Sequence, residues 1–381
     1  MALSLTADSM RDQVKVLLAG GGTGGHIYPA LAVAQGIQQR FRLSEVLFLG
    51  THRGVEKDAV PAAGFRIEFV HARGLSKQPV KAAMAVVETG AGFVQAMAVL
   101  HTWAPHVVIG SGGYVSAPVV AAAGCLGIPV VLLEQNVEPG KTTRLLSRYA
   151  RRICVSFEDS LPYLPEGRAI VTGNPVRADI LARTREDGRR RLDLPADEFC
   201  LLVTGASQGA RSINEAILQA LPLWKDQALT VLHLTGKAHH ADIQARAQGL
   251  VNGGRMTYRP IAYLEDMASA YAAADLVVAR AGATTLAEVT SRGLPGVYVP
   301  YPFAADNHQE KNARRLEARG AALVLPDREV GDRLAACVLE LCKDAPRLQN
   351  MSASSLALGR PKALDAILDV IEQVVATPRK R

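Results

Sequence analysis

From Thr89 to Leu133, 45 consecutive residues carry no Asp, Glu, Lys or Arg. A stretch that long must leave water, either as a membrane span or as the middle of a buried sheet. A span needs about 20 apolar residues in one uninterrupted helix, and the 19 residues Val115–Leu133 come near it in length. Pro118, Gly124, Gly127 and Pro129 would break that helix. What remains is two β-branched runs, Val107-Val108-Ile109 and Val130-Val131-Leu132-Leu133, on either side of a small-residue helix. Strands of a parallel sheet covered on both faces read this way, as continuous apolar runs. The uncharged stretch is therefore expected to be a buried βαβ unit.

The same alternation extends in both directions. Strands are expected at 14–19, 46–49, 67–70, 107–109, 130–133, 153–157 and 169–171. After the turn Thr172-Gly-Asn-Pro-Val-Arg177 and a charged stretch, 183–197, the pattern restarts at 199–204, 229–234, 256–261, 276–279, 297–299 and 322–325, again with helices between. A chain of 381 residues is long enough for two such α/β domains. They are expected at 1–177 and 178–362, with the helical stretch 363–381 fitting as a cap on either one or packed back on the first. With 43 basic and 36 acidic residues, a net charge of +7 and 49% hydrophobic residues, the chain is neither disordered nor tailed for nucleic acid. Residues 1–13 lack the apolar centre of a secretory signal, so cytoplasmic residence is the default. Five cysteines, at 125, 154, 200, 337 and 342, form no CxxC pair and read as reduced core thiols. His239 and His240 lack partners at metal-ligand spacing and read as a solvated helix start.

Three glycine-rich turns stand in strand-to-helix positions. Gly20-Gly-Gly-Thr-Gly-Gly-His26 follows the first strand and opens a helix, where backbone N–H groups approach an anion or a sugar closely and the helix terminus favours negative charge. It formally contains GxGxxG, but the second strand ends Leu49-Gly50-Thr51, without the acid that would hold the ribose of a dinucleotide. Gly205-Ala-Ser-Gln-Gly-Ala-Arg211 opens the second domain, with Ser207 and the following amides suited to a pyrophosphate. Arg280-Ala-Gly-Ala-Thr-Thr-Leu-Ala-Glu288 puts Thr284 and Thr285 near a helix N-terminus and Glu288 one turn further in. A carboxylate there accepts from the two hydroxyls of a ribose, or merely complements the helix dipole. Together the turns point to a phosphorylated nucleotide. No Asp-x-Asp pair and no GxxxxGK[ST] occur, so a metal-free site without ATP chemistry is expected, its diphosphate charge met by amides, helix termini and Arg177.

In combination these motifs resemble those of the MurG family of peptidoglycan N-acetylglucosaminyltransferases, and the resemblance runs in order from about residue 14 to 309. It is carried by Gly21-Gly-Thr-Gly-Gly-His26, Gly112-Gly-Tyr-Val-Ser116, Glu134-Gln-Asn136, Gly173-Asn-Pro-Val-Arg177, Gly205-Ala-Ser-Gln-Gly-Ala-Arg211 and the segment 284–288. It implies a GT-B architecture, two Rossmann-like parallel-sheet domains facing across a cleft. It also implies inverting transfer of N-acetylglucosamine from UDP-N-acetylglucosamine to the 4-hydroxyl of the muramoyl sugar of lipid I, giving lipid II at the cytoplasmic face of the inner membrane. No cofactor and no metal are implied. By motif, Ile261 would receive the uracil through its backbone, Glu288 the ribose, and Ser207, Ala283, Thr284 and Thr285 the phosphates. Asn136 and Gln309 would hold the sugar hydroxyls, Thr23, Gly24 and Gly25 would lie opposite the donor phosphates, and Arg177 would stand at the interdomain strand. The family has Gly and Ser where this chain has Ala206 and Ala281, and 306–309 departs from a more glutamine-rich pattern.

Such a transfer needs a base and an anion cradle. His26, at the mouth of the first turn, suits the base by its ordinary pKa of ~6.5; the alternative, that it only shapes the turn, stays open at this level. The amides of Gly112, Gly113 and Tyr114 with the Ser116 hydroxyl are expected to receive the acceptor's diphosphate. For an anionic membrane surface, Lys141, Arg144, Arg148, Arg151 and Arg152 supply basic charge at helical spacing. Met84, Val87, Phe93, Met97, Leu100 and Trp103 supply an apolar stripe, equally readable as core. Rival readings are another GT-B transferase, a nucleotide-sugar epimerase, a dinucleotide oxidoreductase, or an exported sugar-binding protein.

Overall fold

The computed structural model describes residues 14–74, 78–206, 208–251 and 253–377. The N-terminal segment 1–13, Ser207 and the tail Arg379-Lys380-Arg381 lie outside the described residues. The chain forms two compact units, one built on residues up to Pro175 together with Lys362 onward, the other on Val176–Pro361.

The first unit runs β1 Lys15–Ala19, α1 Gly24–Arg40, β2 Glu45–Gly50, α2 Glu56–Ala62, β3 Arg66–Phe69, α3 Pro79–Trp103, β4 Val107–Gly110, α4 Ser116–Cys125, β5 Val130–Glu134, α5 Lys141–Leu146, β6 Arg152–Val155 and β7 Ala169–Val171. All pairings are parallel, in the order β3-β2-β1-β4-β5-β6-β7. The strands are uniformly apolar because both faces are covered. Successive side chains point to opposite faces: Val16 and Leu18 of β1 pack with Ile27, Val33 and Ile37 of α1, while Leu17 and Ala19 pack with Ala96 and Leu100 of α3 and Val119 and Val120 of α4. The uncharged stretch begins inside α3 and continues through β4, α4 and β5, whose strands are buried throughout.

The second unit runs α6 Ala178–Ala182, α7 Arg185–Arg191, β8 Phe199–Thr204, α8 Arg211–Trp224, β9 Leu229–Leu234, α9 His240–Ala247, β10 Thr257–Ile261, α10 Met267–Ala273, β11 Leu276–Ala279, α11 Ala283–Ser291, β12 Gly296–Tyr298, α12 His308–Glu317, β13 Ala322–Val324, α13 Val330–Lys343 and α14 Ala345–Leu358. Its sheet order, β10-β9-β8-β11-β12-β13, repeats that of the first unit without the seventh strand. Val203, Val231, Val278 and Val297 pack with Ile213, Ile217, Leu221 and Trp224 of α8 and Leu334 and Val338 of α13. The last helix, α15 Ala363–Ala376, packs on the first unit. Ile367, Leu368, Ile371 and Val374 join the core against α1, and Asp369 meets Arg40 at 2.6 Å.

Three expectations change. The five basic residues do not share a helix, because α5 stops at Leu146, a 3-10 turn follows at Ser147–Tyr149, and Arg152 already begins β6. Arg144 is moreover paired with Glu138 at 2.6 Å and lies 4.5 Å from the centre of the Tyr163 ring. The apolar stripe of α3 divides: Leu100 is buried and Phe93, Met97 and Trp103 pack on the core, whereas Met84 and Val87 are exposed together with Val80, Val86 and Val94. This helix is long and apolar enough to cross a membrane, and only 22% of its most apolar window is buried. Cys125 is exposed rather than in the core, since it ends α4, while burial lifts the Cys154 thiol to about 12.

Candidate active site

In an open parallel sheet the crevice for a ligand opens at the carboxyl ends of the two strands where the order reverses. Each unit has one such point, between β1 and β4 in the first and between β8 and β11 in the second. The glycine-rich turns expected to bind ligand follow those four strands.

In the first unit the two turns interlock around His26. Gly112 and Gly113 have φ of +99° and +76°, and a Cβ would fall 2.7 Å from His26 Nδ1 on the former and 2.6 Å from the Gly21 carbonyl on the latter. Only glycine permits both the backbone and the approach. His26 lies in the first turn of α1. Its Nδ1 donates to the Ser111 carbonyl at 3.1 Å, with Gln135 Oε1 at 3.3 Å, and Gln135 Nε2 itself donates to the same carbonyl. With the proton held at Nδ1, the lone pair sits on Nε2, which is the tautomer a base needs. Thr23 is the N-cap of α1 without a side-chain cap bond, and Gly24 and Gly25 are the first helical residues. Asn136 donates from its backbone and its amide to Glu134 Oε1 at 3.0 and 3.1 Å.

Two features of this half differ from expectation. The Ser116 hydroxyl is not available to a diphosphate. It is buried, its oxygen lies 2.8 Å from the carbonyls of both Ala19 and Gly112, and it accepts the Gly112 N–H at 3.2 Å, so it ties the turn shut. The Gly112 amide is engaged for the same reason. Nor is the first glycine turn an open anion cradle. Glu56, fully buried, accepts from the Gly22 N–H at 2.8 Å with one oxygen, and from the Thr51 N–H and hydroxyl at 3.0 and 2.8 Å with the other. A carboxylate of the chain itself occupies the place of a dinucleotide's phosphate, which argues against that cofactor more strongly than the missing ribose acid. No motif marks Glu56, and Glu134 enters only as part of the 134–136 motif, without a role of its own. Their signal is an acid opening the helix that follows a glycine-ended strand, and an acid closing a strand.

In the second unit a cavity of about 610 Å³ opens at the reversal, lined by the turns after β8 and β11 and by Tyr301, Phe303, Gln309 and Asp327. That volume suits a small organic ligand. Gly282 caps α11 without a side-chain bond, so the first amides of the helix stay available to an anion. Thr285 lines the cavity, Ala283 starts the helix, and the Thr284 hydroxyl is buried without a hydrogen-bond partner. Ala206 has φ of +62°, the left-handed conformation that explains the family's glycine there. Gln309 accepts the Tyr301 N–H at 2.9 Å through Oε1. Glu288 lies beyond the first turn of α11, outside the reach of the helix dipole. It is buried, 3.7 Å from Arg177 Nε, and hydrogen-bonded to the Tyr271 hydroxyl. Burial lifts its carboxyl to about 7, and Arg177 and Tyr271 oppose that rise. The Ile261 carbonyl already accepts from the Thr235 N–H at 3.0 Å and its hydroxyl at 3.2 Å, so a base held at this strand end cannot rely on that oxygen.

Residues 16–155 match the glycosyltransferase family 28 N-terminal domain and residues 200–367 the family 28 C-terminal domain. A UDP-N-acetylglucosamine–N-acetylmuramyl-(pentapeptide) pyrophosphoryl-undecaprenol N-acetylglucosamine transferase of Desulforudis audaxviator is 43% identical over 370 residues, 95% of this chain and 98% of the relative. The equally named protein of Moorella thermoacetica is 44% identical over 373 residues, 95% and 99% of the two chains. The crystal structure of Acinetobacter baumannii MurG superposes with a TM-score of 0.77 at 30% identity, covering 94% of this chain and 99% of that one. A UDP-GlcNAc 2-epimerase of Neisseria meningitidis, at 15% identity and a TM-score of 0.66, shares the fold alone. The chain belongs to glycosyltransferase family 28 and, within it, to the MurG family of N-acetylglucosamine transferases.

Proposed function

We propose that the protein transfers N-acetylglucosamine from UDP-N-acetylglucosamine to the muramoyl 4-hydroxyl of lipid I, with inversion and without a metal, and releases UDP and lipid II. The observation that carries this reading is the cavity of the second unit, which is lined by the uncapped start of α11 at Gly282 and Thr285, while the unpartnered Thr284 hydroxyl and the buried Glu288 carboxylate belong to the same helix without lining it. Amides and hydroxyls suit a diphosphate and a buried carboxylate suits a ribose. In this reading Ser207, Ala283, Thr284 and Thr285 hold the phosphates, Glu288 and Arg177 the ribose end, the β10 end at Ile261 the uracil, and Gln309 with Asn136 the transferred sugar.

His26 takes the proton from the muramoyl hydroxyl at Nε2 as the oxygen attacks the anomeric carbon. The C–O bond to the diphosphate breaks, and its electron pair leaves with UDP. Charge then grows on the leaving diphosphate, and preorganised donors stabilise it without rearranging. The acceptor's own diphosphate is left with the Gly113 and Tyr114 amides and the uncapped start of α1 at Thr23, Gly24 and Gly25. The acceptor's polyprenyl chain keeps it at a bilayer. The exposed Val80, Met84, Val86, Val87 and Val94 of α3 supply an apolar face for peripheral attachment at the cytoplasmic side, and the charge of Lys141 and Arg148 adds attraction to anionic lipid.

Transfer of labelled N-acetylglucosamine from UDP-N-acetylglucosamine to a lipid I analogue tests the reading, with EDTA present for the metal claim. Product in both arms is expected. Absence of transfer, or an epimerised nucleotide sugar formed without acceptor, would overturn it; loss of product only with EDTA would overturn metal independence.

A further inference from the structure

Arg280 is the first residue after β11, and its guanidinium gathers the walls of the second-unit cavity. One terminal nitrogen donates to the carbonyls of Val299 and Pro300 at 3.0 and 3.1 Å and meets Asp327 Oδ1 at 2.5 Å. The other donates to the Ser212 hydroxyl at 2.9 Å, which in turn donates to Asp327 Oδ1 at 2.6 Å. The guanidinium carbon lies 5.6 Å from the centre of the Tyr301 ring. Three separate stretches of chain thus meet on one side chain that is 12% exposed: the start of α8, the segment after β12, and the turn before α13. The segment after β12 carries the connection onward, because the Tyr301 N–H donates to Gln309 Oε1 at 2.9 Å. That bond holds the Gln309 amide at the cavity wall and leaves its NH2 as the group able to donate.

We propose that Arg280 is a positioning residue for sugar recognition: by clamping residues 299–301 it fixes Gln309 through the Tyr301 N–H, and so sets which epimer of the donor sugar the cavity accepts. The inference rests on the reading of this cavity as the donor site. Arg280 lines the cavity, but its terminal nitrogens are engaged by Val299, Pro300, Asp327 and Ser212, so its effect on the donor runs through those neighbours. The clamp needs a planar fork that serves several acceptors at once. Lysine brings the same charge on a single nitrogen and cannot reproduce it.

The test compares Arg280→Met, Arg280→Lys and the milder Ser212→Ala with the parent in three measurements: cooperative unfolding, UDP binding by calorimetry, and transfer kinetics with UDP-N-acetylglucosamine and its 4-epimer. Misplacing a reacting group by about 1 Å costs up to ~100-fold in rate. Both Arg280 variants are expected to lose ~10- to 100-fold in kcat/KM for the natural donor. Their preference over the epimer should collapse, while UDP affinity stays within about threefold, or about 0.7 kcal/mol. Ser212→Ala, which cuts one arm of the clamp, should move the preference in the same direction by less. Lysine restoring the parent's behaviour would overturn the proposal by showing that charge suffices. So would unchanged epimer preference in Ser212→Ala and in whichever Arg280 variant folds, or loss of UDP affinity in step with loss of transfer. Failure of the parent to bind UDP would instead overturn the donor reading of the cavity.

Discussion

Glu288→Gln separates what this residue does for binding from what it costs the fold. The carboxyl is 8% exposed, and burial raises its pKa from 4.5 to about 7, with Asp179 adding to the rise and Arg177 and Tyr271 opposing it. In the unfolded chain it titrates near 4.5. A folded-state pKa above the unfolded one favours the protonated native form, so its contribution to stability is whole below about pH 4.5 and is lost as the pH rises through about 7. At ~1.4 kcal/mol for each tenfold change, the gap between 4.5 and about 7 makes that loss about 3 kcal/mol by about pH 8. Glutamine keeps the shape and removes the titration, and Arg177, with 44% of its side chain exposed, rehydrates when its partner goes. Urea unfolding of parent and variant across this range should therefore give curves that diverge, the variant gaining about 3 kcal/mol on the parent between about pH 4.5 and 8. Calorimetric titration with UDP should show the opposite effect. Losing a charge-assisted bond worth about 1.5–3 kcal/mol weakens binding by ~10- to 150-fold. The parent's own UDP affinity should fall as the pH drops below about 7 and the carboxylate takes up its proton. Parallel stability curves would refute the raised pKa, and an unchanged UDP affinity would refute the ribose role.

His26→Ala should lower kcat by ~10²- to 10⁴-fold with the donor KM nearly unchanged, as initial-rate kinetics will show; an unaltered kcat removes the residue from proton transfer. Ala206→Gly should stabilise the chain, because a left-handed alanine costs about 1–2 kcal/mol and the greater freedom of glycine in the unfolded state takes back only about 0.4–1 kcal/mol of that. Thermal unfolding reads the sign, and a lower Tm contradicts the strain at φ +62°. Val86→Glu with Val94→Glu should release the protein from anionic vesicles in a sedimentation assay while transfer to a short-chain, water-soluble acceptor continues; unchanged sedimentation counts against α3 as the docking face.

Most of the architecture is legible in the sequence because its signal is local. Most strands are short apolar runs, those of β1, β2, β4 and β11 end in Ala or Gly, and the two sheets share one order over six strands. The boundaries expected for the strands differ from the observed ones by a residue or two at their ends. What was not legible depends on three-dimensional neighbours. The spacing of Lys141, Arg144, Arg148 and Arg151 fits one helix, yet β6 must begin at Arg152 to pair with β5, and the helix stops six residues earlier. Four residues of the α3 stripe belong to the core and two, Met84 and Val87, do not, since periodicity reports an apolar face without saying what covers it. At the site, residue type pointed to turns that lie where the strand order reverses, but not to the state of each donor. Ser116 is a hydroxyl in a glycine turn, as a phosphate ligand would be, but its partners are the turn's own carbonyls. Glu56, Tyr271 and Arg280 act through bonds to residues up to 47 positions away, a distance no motif spans.

The two units share a strand order, and each has a glycine turn where nucleotide phosphates bind in this kind of sheet, which raises the question of nucleotide stoichiometry. Glu56 supplies an answer. For a phosphate oxygen to take the Gly22 amide, the resident carboxylate must leave a buried seat with three hydrogen bonds, each to a charged group and worth about 1.5–3 kcal/mol. That is a difference of several powers of ten in affinity between two turns that look alike in sequence. On the function proposed above, the chain therefore takes its one nucleotide in the second half and keeps the first for a different molecule, although both are folded on the same plan.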